Sequence, residues 1–107
     1  MAVGRSEDAI FEKVYEKVST VVARRIAGEM FLVPISGNLA NMDRIFALST
    51  VAEFIWERLD GRMNLRGICG GLLDRFDVPE GEAKSDIQEF VNDLVKQGLA
   101  HEVSVGP

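Results

Sequence analysis

The chain has 107 residues, 47% of them hydrophobic and 27% charged, which suits one domain with a modest core. Its formal charge of −5 argues against a nucleic-acid partner, because phosphate binding needs a local excess of Lys and Arg. A single cysteine, Cys69, and a single histidine, His101, exclude an internal disulfide, a zinc site of three or four Cys/His ligands and an iron–sulfur cluster. No apolar run approaches the roughly 20 residues that span a bilayer. The N-terminal stretch MAVGRSEDAIFEKVYEKV is too charged for a secretory signal, so a cytoplasmic protein without a cofactor is expected.

Residues 1 to 6 read as disordered. From Glu7 to Val18, the residues Ile10, Phe11, Val14, Tyr15 and Val18 recur at helical spacing, which predicts a short amphipathic helix on this domain or on a partner. Residues 1–19 thus form an N-terminal segment, 20–103 the domain proper, and 104–107 a tail. The stretches VVARRIA and EMFLVPI read as two short strands that turn at Ala27-Gly28. Pro34 belongs at a strand end or an edge, because it cannot donate to a ladder. SGNLANMD, residues 36 to 43, is a loop by composition, and RIFAL, residues 44 to 48, is a third strand.

Three helices follow. Thr50 and Glu53 have capping-box spacing, with Ser49 an alternative cap, and Val51, Phe54, Ile55 and Leu59 form an apolar stripe that Ala52 and Trp56 widen. Gly61 suits a left-handed stop after Asp60. Asn64 can cap a second helix whose buried side is Leu65, Ile68, Cys69, Leu72, Leu73 and Phe76. Pro79 suits the first turn of a third, with Ala83, Ile87, Phe90, Val91, Leu94 and Val95 facing the core. Gly98-Leu99 then resembles a Schellman stop in which Leu99 contacts Leu94. Three small strands cannot bury themselves, so the helices must cover one sheet face. The fold class is α+β: a three-stranded antiparallel sheet followed by a three-helix bundle, winged-helix in character, preceded by the N-terminal amphipathic helix.

Catalytic chemistry finds little support. His101 lies near the C-terminal tail, and Cys69 occupies a core position of its helix. The carboxylate pairs Glu80/Glu82 and Asp86/Glu89 read as solvated helix faces. Gly67, Gly70 and Gly71 lack the lysine and the preceding strand of a phosphate loop, so they mark close packing or local weakness. A DNA-reading third helix would bring Glu80, Glu82, Asp86, Glu89 and Asp93 to the groove against only Lys84 and Lys96, which repels phosphate. The third strand, by contrast, has helices after it rather than a pairing strand. Its open edge would let an extended peptide add as a further strand. Arg44, Ile45, Phe46 and Ala47 would supply the backbone groups. The stripe Asp86, Glu89, Asp93, Gln97, bordered by Phe90, would form the other wall.

Over residues 20 to 103 the sequence resembles the coenzyme PQQ synthesis protein D (PqqD) family. IAGEMFLVPI, RIFALS, FIWERLDG and FVNDLVKQGL carry the resemblance in order and spacing. It implies three strands followed by three helices, with Trp56 a core marker of the fold. It also implies a non-enzymatic module that binds the leader of a ribosomally made precursor peptide. The module presents that leader to a modifying enzyme, often a radical SAM protein. The implied peptide-binding residues are Arg44, Ile45, Phe46, Ala47 and Leu48 on the third strand and Asp86, Phe90 and Asp93 on the third helix. The resemblance names neither the peptide nor the product, and it permits a homodimer made by exchange of the N-terminal segment. The rival readings are a winged-helix transcriptional regulator and a structural adaptor that contacts only an enzyme.

Overall fold

The computed structural model describes residues 9–36, 39–40 and 45–103. The predicted disorder of residues 1 to 6, the tail at 104–107, part of the 36-to-43 loop and Arg44 lie outside them.

The predicted hairpin pairs β2 (Val21–Ile26) with β3 (Glu29–Ser36) in antiparallel register from Val21 opposite Pro34 to Ile26 opposite Glu29. Ala27 and Gly28 both have positive φ, at 54° and 84°, as a tight turn matching the strands' twist requires. β5 (Phe46–Leu48) pairs with the other side of β3, Met30 opposite Leu48 and Leu32 opposite Phe46. Further along the same side, the short β4 (Leu39–Ala40) pairs with Ile35 and Ser36, inside the stretch expected to be a loop. Cross-strand partners share a face, so Leu32, Phe46, Met30 and Leu48 form the inner surface. Leu32 is fully buried and Leu48 nearly so.

The helices cover that surface. α1 (Thr50–Glu57) starts at Ser49, the alternative cap, whose Oγ accepts the Ala52 N–H at 3.1 Å. It ends at Arg58 rather than running to Asp60. α2 (Leu65–Arg75) is capped by Asn64, whose Oδ1 accepts the Gly67 N–H at 2.9 Å. α3 (Glu80–Lys96) begins just after Pro79, which occupies the cap instead of the first turn. It closes in the predicted Schellman pattern: Gly98 has φ 77°, and the N–H groups of Gly98 and Leu99 donate to the carbonyls of Val95 and Leu94. Ile55, Leu59, Leu65, Ile68, Leu72, Ile87, Val91 and Leu94 have almost no solvent contact. Each contributes roughly 1.5–3 kcal/mol of burial. Trp56 lies in this core; Val95, expected to be buried, is 43% exposed.

The N-terminal segment departs from expectation. Ile10–Glu12 form a single 3₁₀ turn, and Val14–Lys17 are a strand, β1, not a helix. β1 is the centre of a second antiparallel sheet, flanked by β6 (Asp60–Asn64) and β7 (Ala100–Val103). The spacing of apolar residues misleads here: Phe11, Val14 and Tyr15 are all buried, but by a 3₁₀ turn and a strand rather than by one helix face. Val14 and Tyr15 are adjacent, so a strand buries both only when each of its faces is covered. Backbone bonds at its ends, from Leu65 N–H to the Lys13 carbonyl and from Val18 N–H to the Leu99 carbonyl, tie it to both flanks. The molecule is thus an α+β, winged-helix-like fold: the predicted sheet and three helices, with a second small sheet of β1, β6 and β7.

Candidate functional site

β5 is positioned from two directions. Its Leu48 is 4% exposed and holds the strand against the core, while Ile45 and Ala47 on the alternate face reach solvent. The half-buried Phe46 lies edge-on to Phe90 of α3, with ring centroids 6.2 Å apart and planes at 72°. Such a pair contributes about 0.5–1.5 kcal/mol beyond its buried area. It also fixes the spacing between strand and helix. Among the described residues, β3 is the only strand paired with β5. In an antiparallel ladder the backbone groups point alternately to the two sides, so the other edge of β5 carries N–H and C=O groups that no described strand pairs with.

Beside this strand a groove of about 270 Å³ runs between α1 and α3, lined by Ser49, Val51, Ala52, Ile55, Asp86, Glu89, Phe90 and Asp93. Helical spacing explains the α3 wall. Ala83, Ile87, Val91 and Leu94 turn into the core, which leaves positions 86, 89, 90 and 93 on a neighbouring face. Asp86 and Phe90 are half-buried there, and Glu89 and Asp93 are exposed. The structure therefore brings Asp86, Phe90 and Asp93 together and joins them to Phe46 through the ring contact. Ala47 and Leu48 lie on the adjoining strand and Ile45 just before it, and none of the three lines the groove. Arg44 is outside the described residues. Gln97, expected on the stripe, caps the end of α3 beyond the groove.

Sequence reasoning assigned Val51, Ala52 and Ile55 to the core stripe of α1 and so missed the second wall. Only Ile55 is fully buried; Val51 and Ala52 are half-exposed at the first turn. The signal available was the width of the stripe, which exceeds what one packing face uses.

The remaining reactive groups make no catalytic set. Cys69 is buried, and burial pushes its thiol up from its ordinary value, the wrong direction for a thiolate nucleophile. His101 lies exposed on β7, its Nε2 3.4 Å from the Glu16 carboxylate. Among the described residues no group of three His, Cys, Asp or Glu side chains could hold a metal ion. No described helix is long and apolar enough to cross a membrane.

Comparison with known proteins agrees with the fold. The "PqqA binding protein" of Rhizobium meliloti (strain 1021) is 35% identical over 52 residues, covering 49% of this chain and 53% of that protein. The chain thus matches about half the length of that curated relative. A solved structure, "TbiB1 in Complex with the TbiA(beta) Leader Peptide", shares the fold with a TM-score of 0.65 at 20% sequence identity. The likeness covers 80% of this chain and 94% of that one. The family described as "Coenzyme PQQ synthesis protein D (PqqD)" matches residues 29–100, from the start of β3 through all three helices. The chain belongs to the PqqD family, a family of non-catalytic peptide-binding adaptor domains.

Proposed function

We propose that this protein binds the leader of a ribosomally made precursor peptide and presents it to a separate peptide-modifying enzyme, such as a radical SAM protein. The observation that carries the reading is the juxtaposition of the groove between α1 and α3 with a β5 edge that no described strand pairs with. An extended peptide laid along β5 gains ladder hydrogen bonds on one side. On the other, its side chains meet Phe46, Phe90, Asp86 and Asp93. Arg44 to Leu48 would form the docking strand. Backbone pairing then supplies affinity for any extended segment, and the groove supplies selectivity. The relatives' names support the reading, since one is a PqqA binding protein and another is held in complex with a leader peptide. Action in the cytoplasm follows, because ribosomal precursors are made there.

The test is an NMR titration of ¹⁵N-labelled protein with the leader of a precursor peptide encoded beside its gene. Amide shifts concentrated on residues 45–48 and on the 86–93 face of α3 are the expected outcome. An unchanged spectrum at high micromolar peptide, with the fold intact, would reject that leader as ligand. Binding of the modifying enzyme in the same conditions would then favour an adaptor that contacts the enzyme alone.

A further inference from the structure

The groove has an unbalanced charge. Its apolar part is Val51, Ala52, Ile55 and Phe90; its polar part includes three carboxylates, Asp86, Glu89 and Asp93, and among the described residues no Lys or Arg. Among the described residues, Arg25 pairs with Glu53, Arg58 with Glu57, and Lys84 with Glu80. Among the described residues none of the three groove carboxylates has an ion-pair partner. Nor do they converge on one point. Asp86 and Asp93 are seven residues apart on α3, about 10 Å along its axis. That spacing accounts for the lack of a metal cluster. It also matches a peptide strand, which advances about 6.6 Å between side chains on the same face, so two successive same-face side chains fit within reach of the stripe.

We propose that the groove selects leaders carrying a lysine or arginine on the face turned towards α3. The inference rests on the peptide-binding reading and adds the chemical class of the side chain recognised. The aliphatic stem lies on Phe90 and Val51, and the cationic head reaches Asp86, Glu89 or Asp93. Long cationic side chains divide in this way between apolar floor and polar rim. An acidic side chain at the same position would meet three carboxylates, so the groove rejects as well as attracts. Free edges pair with almost any extended backbone. Charge exclusion is therefore the means by which this edge discriminates among peptides of equal strand propensity.

The experiment measures the affinity of the adjacent-gene leader by fluorescence anisotropy at 50 and 300 mM NaCl. It uses wild-type protein and the triple variant Asp86→Asn/Glu89→Gln/Asp93→Asn, with the leader in native form and with each Lys or Arg replaced in turn by Gln. Wild type should lose roughly threefold to tenfold in affinity for one Gln-substituted leader. The triple variant should show a similar loss for the native leader, little further loss for the substituted one, and a weaker salt dependence. Equal binding of all leaders to both proteins would overturn the charge selection while leaving strand addition standing. Binding of no leader to either protein, with circular dichroism unchanged, would overturn the peptide reading and this inference with it.

Discussion

Ala27 stands at φ 54°, a left-handed conformation that costs an L-residue with a Cβ about 1 kcal/mol or more. Its neighbour Gly28 meets the same demand at no steric cost. Ala27→Gly or Ala27→Asn should therefore raise stability by about 0.5–1 kcal/mol in urea denaturation, since the native backbone suits either residue better. The glycines of α2 divide in the same physical terms. A methyl at Gly70 would meet nothing within 4 Å, whereas at Gly71 it would come to 3.3 Å from the Phe54 ring, which is itself locked edge-on to Phe76. Gly70→Ala should gain about 0.5–1 kcal/mol from helix propensity, and Gly71→Ala should gain less or lose. Thermal melts of the pair would separate the two roles, weakness and close packing, that the sequence leaves joined. Single-residue signals were the most legible of all: the Asn64 cap and the Gly98 stop each depend on chemistry local to a few residues. The choice of Ser49 over Thr50 as cap was less so, because either hydroxyl could accept the bond and packing decides.

At the scale of elements, β1, β6 and β7 show where the sequence stops being readable. A strand of four or five residues has no period long enough to compete with a helical one, and its stability comes from partners distant in sequence. Val14 pairs with both Asn64 and Val103, contacts that no local window contains. The turn into β6 is built by Asp60, whose Oδ1 accepts the N–H groups of Arg62 at 2.9 Å and Met63 at 3.1 Å. Those bonds favour the carboxylate and hold its pKa below the ordinary aspartate range. A depressed folded-state pKa gives stability that is present above the unfolded value of about 3.9 and lost as pH falls through the lower, folded one. Asp60→Asn keeps an acceptor oxygen and removes the titration. The wild type's advantage over this variant should therefore be full at pH 6 and shrink steadily below about pH 4. Chemical denaturation of both proteins across that range checks the slope; parallel pH curves would remove Asp60 from the account.

The whole molecule places its two sheets in different roles. The β2–β3–β5 sheet and the α1–α3 groove carry the proposed binding edge, and no residue lining that groove comes from β1, β6 or β7. Stability and recognition should then be separable by mutation. Val14, 6% exposed at the centre of the second sheet, loses two buried carbon groups in Val14→Ala, at a cost of about 1–2 kcal/mol. The folded fraction still presents an unaltered groove, so its leader affinity at 15 °C should stay within about twofold of wild type, which is about 0.4 kcal/mol. Phe90→Ala has a different profile. Phe90 is half-exposed, so its loss should cost about 1.5–3 kcal/mol of stability, less than a fully buried ring. It removes the ring that spaces β5 from α3 and forms part of the groove floor. Leader affinity should fall about tenfold or more, as when an aromatic anchor is truncated at a binding surface. Urea denaturation and anisotropy titrations on the two variants give four numbers. If Val14→Ala weakened leader binding as much as Phe90→Ala at a temperature where both remain folded, the second sheet would be part of the recognition surface. The edge of β5 would then no longer account for the peptide's place on the protein.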